Sequence, residues 1–174
     1  NVTIPGTKQD VSPGEYAPKA SLITGVFMWL ARTGVPQITV AVQTLGREVN
    51  SWTTAVDKQA RRLVSHVRMK VSEGVLLLRC APQDLKEKKL KLLLFSDADH
   101  AGNISTRKSV SGVAMVLAGP HGTWALLDWI SKTQRTVSTS TAEAELLAAQ
   151  LALRECLTVL VILDLLGVEV DIEL

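Results

Sequence analysis

Cysteine is scarce in this chain: Cys80 and Cys156 are the only two in 174 residues. Two isolated cysteines in apolar surroundings exclude a secreted disulfide scaffold, and both are expected to be buried free thiols. Aromatic residues make up only 4%, so the core has to be largely aliphatic. An excess of one charge is lacking too. The 19 Lys and Arg face 17 Asp and Glu, a net charge of +2, so any contact with a polyanion has to come from local patches. There is no charged-then-apolar leader. The opening NVTIPGTKQDVSPGEYAPKA is polar and rich in Gly and Pro, which argues against a signal peptide despite its Asn-Val-Thr sequon. Nor is there a long apolar run free of charge. Leu146 to Leu166 contains Arg154, Glu155 and Asp164 and reads as a buried helix, not a membrane span. What is abundant is hydrophobic residues, 47% of the chain, enough for a substantial core and too many for general disorder.

The patterning divides the chain in two. Residues 1–17 read as a linker, residues 18–73 as a helical segment and residues 74–174 as an α/β domain. The spacing predicts a helix from Ala17 to Arg32 with Leu22, Ile23, Val26, Trp29 and Leu30 on its apolar face. A second is predicted from Pro36 to about Val49, Pro36 suiting its first turn. A third starts near Thr54, where Asp57 makes a capping pair. It buries Val56, Ala60, Leu63, Val64 and Val67 and leaves Arg61, Arg62 and Arg68 to solvent. Beyond Gly74 the texture changes. Val75–Leu78 is a short apolar run, and Pro82–Leu90, with Lys86, Glu87, Lys88 and Lys89, reads as a solvated connection. Strands are predicted at Leu92–Phe95, Val113–Leu117 and Thr123–Ile130, the last two joined by a hairpin at Gly119-Pro120-His121-Gly122. A long helix from Thr141 to Leu166 stops at Gly167, and Val168–Leu174 leads into a further strand. A meander followed by a helix and another strand implies a mixed sheet with a helix packed on it.

Two acidic clusters stand out. In Phe95-Ser96-Asp97-Ala98-Asp99-His100-Ala101-Gly102, the two-residue strand period turns Asp97 and Asp99 to one face. A polar strand end is the plain alternative. In Ser140-Thr141-Ala142-Glu143-Ala144-Glu145, Ser140 and Glu143 have capping-box spacing, which gives Glu143 a structural task. Glu145 has no such task and sits on a largely apolar helix, where a carboxylate needs a partner or a metal. Carboxylates at a strand end and on a nearby helix are what a two-metal phosphoryl-transfer site requires. Hard oxygen donors suit Mg2+ or Mn2+.

At these residues the chain resembles the ribonuclease H domain of copia-type retrotransposon Pol polyproteins. The similar blocks are FSDADHAG, Thr106-Arg107-Lys108-Ser109-Val110-Ser111-Gly112, Trp129-Ile130-Ser131-Lys132-Thr133-Gln134 and Ser140 to Leu146, in the family's order. More weakly, Ser21–Lys70 is similar to the helical end of the same family's reverse transcriptase. The resemblance implies a ribonuclease H-like fold and hydrolysis of the RNA strand of RNA–DNA hybrids by two divalent cations. It makes Asp97 and Glu145 the first two catalytic, metal-binding carboxylates, with Asp99 a further metal ligand. Hybrid enzymes read helix shape and the ribose 2′-OH rather than base sequence, and Arg107, Lys108, Lys132 and Arg135 are the candidate backbone contacts. Single surface charges of this kind are equally well ordinary solvated groups. The expected partners are an RNA–DNA hybrid and the rest of the Pol polyprotein, with no membrane. The expected location is intracellular: cytoplasm, virus-like particle or nucleus.

The pattern departs from the family at two points. His100 stands where the family has Trp, and it reads as a structural, partly exposed histidine. The third carboxylate of the family lies on the strand after the long helix, a little over ten residues beyond the glycine matching Gly167, and a fourth lies further on. Both positions fall past Leu174, so the domain is expected to be C-terminally truncated and this chain alone inactive. Asp171 comes too early for the third role. The alternative is a non-catalytic remnant or domesticated domain that binds nucleic acid or a protein. An integrase-type nuclease is a weaker third reading, because the upstream helices do not support it.

Overall fold

A computed structural model describes residues 12–73, 78–102 and 106–174. The chain divides into two compact units, Asn1–Leu76 and Leu77–Leu174.

The first unit is helical. It contains α1 (Ala20–Thr33), α2 (Thr39–Arg47) and α3 (Thr54–Glu73), with single 3-10 turns at Ala17–Lys19, Pro36–Ile38 and Val49–Ser51. Pro36 opens a 3-10 turn rather than the helix itself, and α2 begins at Thr39. Its core joins Ala20, Phe27, Ala31, Ile38, Val42, Leu45, Trp52, Val56, Ala60 and Leu63. The apolar face expected for α1 is rotated. Leu22, Val26 and Trp29 are exposed, whereas Ala20, Thr24, Phe27 and Ala31 are buried. On α3, Val64 is likewise exposed.

The stretch expected to be a linker is, from Ser12 onward, tied to this bundle. Pro13 bridges to Thr53 and Gly14 N–H donates to Trp52 O. The Asp57 carboxylate, buried, accepts from Trp52 Nε1 at 2.6 Å and from the backbone N–H groups of Glu15 at 2.6 Å and Tyr16 at 3.3 Å. Arg61 adds a salt bridge to Glu15 and stacks over the Tyr16 ring.

The second unit is a four-stranded mixed sheet with one long helix on it. Its elements are α4 (Pro82–Lys86), β1 (Leu90–Asp99), β2 (Val110–Ala118), β3 (Trp124–Thr133), α5 (Thr141–Leu165) and β4 (Val170–Glu173). The strand order is β3-β2-β1-β4. β1–β2 and β2–β3 are antiparallel, and α5 returns the chain to place β4 parallel to β1. This is the mixed sheet with a packed long helix that the patterning predicts, and it is consistent with a ribonuclease H-like fold.

Alternation along β1 buries Leu90, Leu92, Leu94 and Ala98. Leu92 and Leu94, with Val113 and Met115 of β2, pack against Leu151, Ala152 and Cys156 of α5. The helix expected to be buried is covered on this side only. Leu146, Leu153, Leu157, Val161 and Leu165 are exposed. Thr141–Leu165 is long and apolar enough to cross a membrane by length and composition alone.

Two further expectations fail. Cys156 is buried, and its thiol is pushed up by burial, but Cys80 is exposed. It follows Arg79, which bridges by its backbone to Trp124. The Pro82–Leu90 connection is solvated except at Asp84, which is fully buried, and at Leu90, which is buried as the first residue of β1. Asp84 accepts from the Thr123 hydroxyl at 2.6 Å, the Thr123 N–H at 3.1 Å and the His121 N–H at 2.9 Å, and so clasps the β2–β3 hairpin. Val75, Leu76 and Leu77 of the apolar run lie outside the described residues.

Burial by itself would raise the pKa of Asp57 and of Asp84. Hydrogen bonds outweigh it in both, from Trp52, Glu15 and Tyr16 in one and from Thr123 and His121 in the other, and hold both carboxyls below the ordinary 3.8. A folded value below the unfolded one means that the stabilisation is complete above the unfolded value and is lost as pH falls through the folded one. Stability followed by circular dichroism is expected to be flat from pH 7 to about 5 and to fall below about 4. Asp57→Ala strands three donors and should cost about 3 kcal/mol in urea unfolding at pH 7. A variant as stable as the parent would show that this clasp does not hold the first unit.

Candidate functional site

The sheet register gathers the acidic and basic segments at one end of the second unit. Asp97 pairs with Gly112 and Asp99 with Val110. Gly112 pairs in turn with Ser131, and Val110 with Thr133. The end of β1, the start of β2 and the end of β3 are thus side by side, with strands about 4.8 Å apart. Arg107 and Lys108 lie just before β2, Lys132 is the penultimate residue of β3, and Arg135 lies two residues past its end.

Helix α5 starts at the same end. Ala98 packs on Ala144 and Ala148 in a cluster of three alanines. Such small side chains let the helix backbone come close to the strand. Asp97 and Asp99 flank Ala98, and Glu145 follows Ala144, so each carboxylate is one residue from this contact. The pleat turns Ala98 toward α5 and Asp97 and Asp99, both exposed, to the other face. Glu145 is half-buried. Asp97 therefore faces away from the helix that carries Glu145, although both lie at the same end of the sheet.

The start of α5 is fixed by a capping arrangement. The Ser140 hydroxyl accepts from Glu143 N–H at 3.1 Å. The Glu143 carboxylate reaches back one residue further, to Thr139, whose N–H and hydroxyl donate at 2.6 and 2.7 Å. These two bonds, with a smaller contribution from nearby His100, hold the Glu143 carboxyl below its usual range. His100 is exposed, and its neighbour on the helix is the capping carboxylate. At the far end Gly167, at φ +69°, takes the left-handed conformation that ends the helix.

Gln134 is the residue that sequence reasoning passed over. It is buried, and its amide nitrogen donates to Ser111 Oγ at 3.0 Å and to Ala144 O at 2.9 Å. Its amide oxygen accepts from Ser138 Oγ at 2.8 Å. One side chain thus ties β2, the β3–α5 loop and the first turn of α5 together. Its only signal in sequence was its place in the Trp129–Gln134 block. Around the turn after β1, Ala101 N–H donates to the buried Ser109 hydroxyl. Gly102 lies against Asp99 so closely that a Cβ would fall 1.8 Å from a carboxylate oxygen.

β4 bears on the question of a third carboxylate. Asp171 pairs with Lys91, six residues and about 20 Å along β1 from Asp97, which excludes it from the site. Leu93 pairs with Glu173, so four further steps bring β1 to Asp97 and β4 to the third position past Leu174. Among the described residues, no group of three or more His, Cys, Asp or Glu gathers closely enough to hold a metal ion.

The chain has relatives. It is 28% identical over 131 residues to the secreted RxLR effector protein 161 of Plasmopara viticola, a match covering 75% of this chain and 84% of that protein. It is 29% identical over 147 residues to an uncharacterized mitochondrial protein of Arabidopsis thaliana. That match covers 83% of this chain and 56% of the relative, so the chain spans little more than half the plant protein's length. No protein-family model and no solved structure matches.

Gln134→Ala should cost about 2 kcal/mol or more, because it leaves buried Ser111 and Ser138 hydroxyls and the Ala144 carbonyl without their partner. The loss should appear in urea unfolding of the full chain, with faster amide exchange in the first turn of α5. Unchanged exchange there would show that the alanine contact alone places the helix.

Proposed function

We propose that this chain is part of a retroelement reverse transcriptase–ribonuclease H, and that its second unit derives from a domain that hydrolyses the RNA strand of RNA–DNA hybrids. The observation that carries the reading is the gathering of two carboxylate segments and four basic residues at one end of a 3-2-1-4 mixed sheet, in blocks resembling the copia-type domain. Asp97 and Glu145 would hold a divalent cation, Mg2+ or Mn2+, with Asp99 a further oxygen donor. When bound, such ions activate water and stabilise the leaving oxygen. Arg107, Lys108, Lys132 and Arg135 would steer and seat the phosphate backbone. The partners in this reading are the hybrid and the remainder of the Pol polyprotein, and the location is inside the cell.

Two carboxylates replace too few of a cation's waters to fix a pair of ions. The 174-residue polypeptide should therefore bind Mn2+ weakly and cleave a labelled hybrid little or not at all. In Mn2+ titrations followed by electron paramagnetic resonance, Asp97→Asn and Glu145→Gln should each weaken binding at least tenfold, and Asp171→Asn should leave it unchanged. If neither of the first two alters Mn2+ binding, the carboxylates do not share an ion and the nuclease reading fails. Vigorous cleavage abolished by Asp97→Asn would instead overturn the expected inactivity. The similarity to a protein named as a secreted effector, over 84% of its length, favours a second reading. In it the fold persists as a non-catalytic domain that binds nucleic acid or a protein. A reading frame that runs on past Leu174 into an Asp-Asn-x-x-Ala block would favour the enzyme over this alternative.

A further inference from the structure

Charge compensation differs between the two ends of the second unit. At the hairpin end, Lys88 pairs with Glu169, Lys89 with Glu87 and Lys91 with Glu173. Glu87 also accepts from Gln83 and His121, and the three donors bring its carboxyl down to about 2. At the opposite end Lys132 and Arg135 have no carboxylate partner among the described residues. Both line a groove of about 420 Å3 between the end of β3 and α5. The helix side contributes Gln150 and Arg154, with Leu147 and Leu151 as an apolar wall. Among the described residues no Asp or Glu lines it. Among the described residues Arg154 is paired with its chain neighbour Glu155, in an exposed contact of little energetic weight. The floor is rigid, since Ser111 and Gln134 are locked in the buried hydrogen bonds described above.

We infer that this β3–α5 groove is a phosphate-backbone subsite, in which Lys132, Arg135 and Arg154 seat a nucleic-acid strand on the α5 side of the sheet, the face opposite Asp97. Ser111, the cross-strand partner of Lys132, shares its face with Ala98, the partner of Ser111 on β1. The groove therefore lies on the helix-covered face, and Asp97 on the other. Arg154 is nine residues along α5 from Glu145, about 13 Å, so the groove holds a flanking part of the strand rather than the part at the carboxylates. The assignment adds Arg154 to the basic residues expected from sequence and separates Lys132 and Arg135 from Arg107 and Lys108. It rests on the nucleic-acid reading proposed above.

The test is fluorescence anisotropy of a labelled 12-base-pair RNA–DNA hybrid with the full chain in EDTA, over a salt series, so that no metal contributes. Each backbone contact removed should lower the log–log salt slope by about one. Lys132→Gln/Arg135→Gln should lose about two and Arg154→Gln about one, each with at least threefold weaker binding and an unchanged circular dichroism spectrum. Lys132→Arg/Arg135→Lys should restore the slope. If the parent binds the hybrid but the groove variants keep its affinity and slope, the groove assignment falls and the hybrid reading stands. If the parent binds neither the hybrid nor a single strand at 50 mM salt, the nucleic-acid reading itself falls and the groove assignment falls with it.

Discussion

The contact of Ala98 with Ala144 and Ala148 governs the geometry of the second unit. A larger side chain at any of the three would lift the start of α5 from the end of β1, and the carboxylates on either side would part. The contact works because each element brings its own reason for being there. β1 is held by β2 along its whole length, and α5 is anchored by Ser140, by Glu143 on Thr139 and by Gln134 on the Ala144 carbonyl. Buried polar groups with every bond made fix a position more sharply than apolar packing does, and leaving one unmet is costly.

Buried carboxylates serve the same purpose in both units. Asp57 draws Trp52 and the backbone of Glu15 and Tyr16 onto α3, and Asp84 draws the hairpin onto α4. Neither has a cation as its main partner. Each is satisfied by N–H and O–H donors from a neighbouring segment, so the acid closes a loop where no apolar side chain is available. The chain thus uses acidic residues as buried fasteners, as partners of lysines at the hairpin end, and as a group at the other end of the sheet.

The strands were legible because alternating or continuous apolar runs ended at turn residues, and the Gly119–Gly122 hairpin named its own position. The capped start of α5 and its glycine stop were legible from spacing alone. The face of α1 was not. Its apolar residues run all round, so no polar side orients it, and Ala20, Phe27 and Ala31 are inside while Leu22, Val26 and Trp29 face out. Asp84 was hidden among charged neighbours, since nothing local distinguishes a buried acid from a solvated one. The motif blocks pointed to Asp97 and Glu145, but the placing of their segments depends on three alanines that carry no chemistry. Gln134 was equally silent, because its partners Ser111, Ser138 and Ala144 come together only after β2, β3 and α5 are assembled.

The sorting of charge along the sheet makes the second unit electrically lopsided. At the hairpin end lysines and glutamates cancel locally, so little field escapes. At the other end, among the described residues, Lys132 and Arg135 have no carboxylate partner and Asp97 and Asp99 are exposed, so charge there is not cancelled locally. A long polyanion drifting nearby would be turned before it touches anything, its backbone drawn to the basic side and held off the acidic one. Orientation would thus be set during the approach, by charges that individually contribute almost nothing to the stability of the fold.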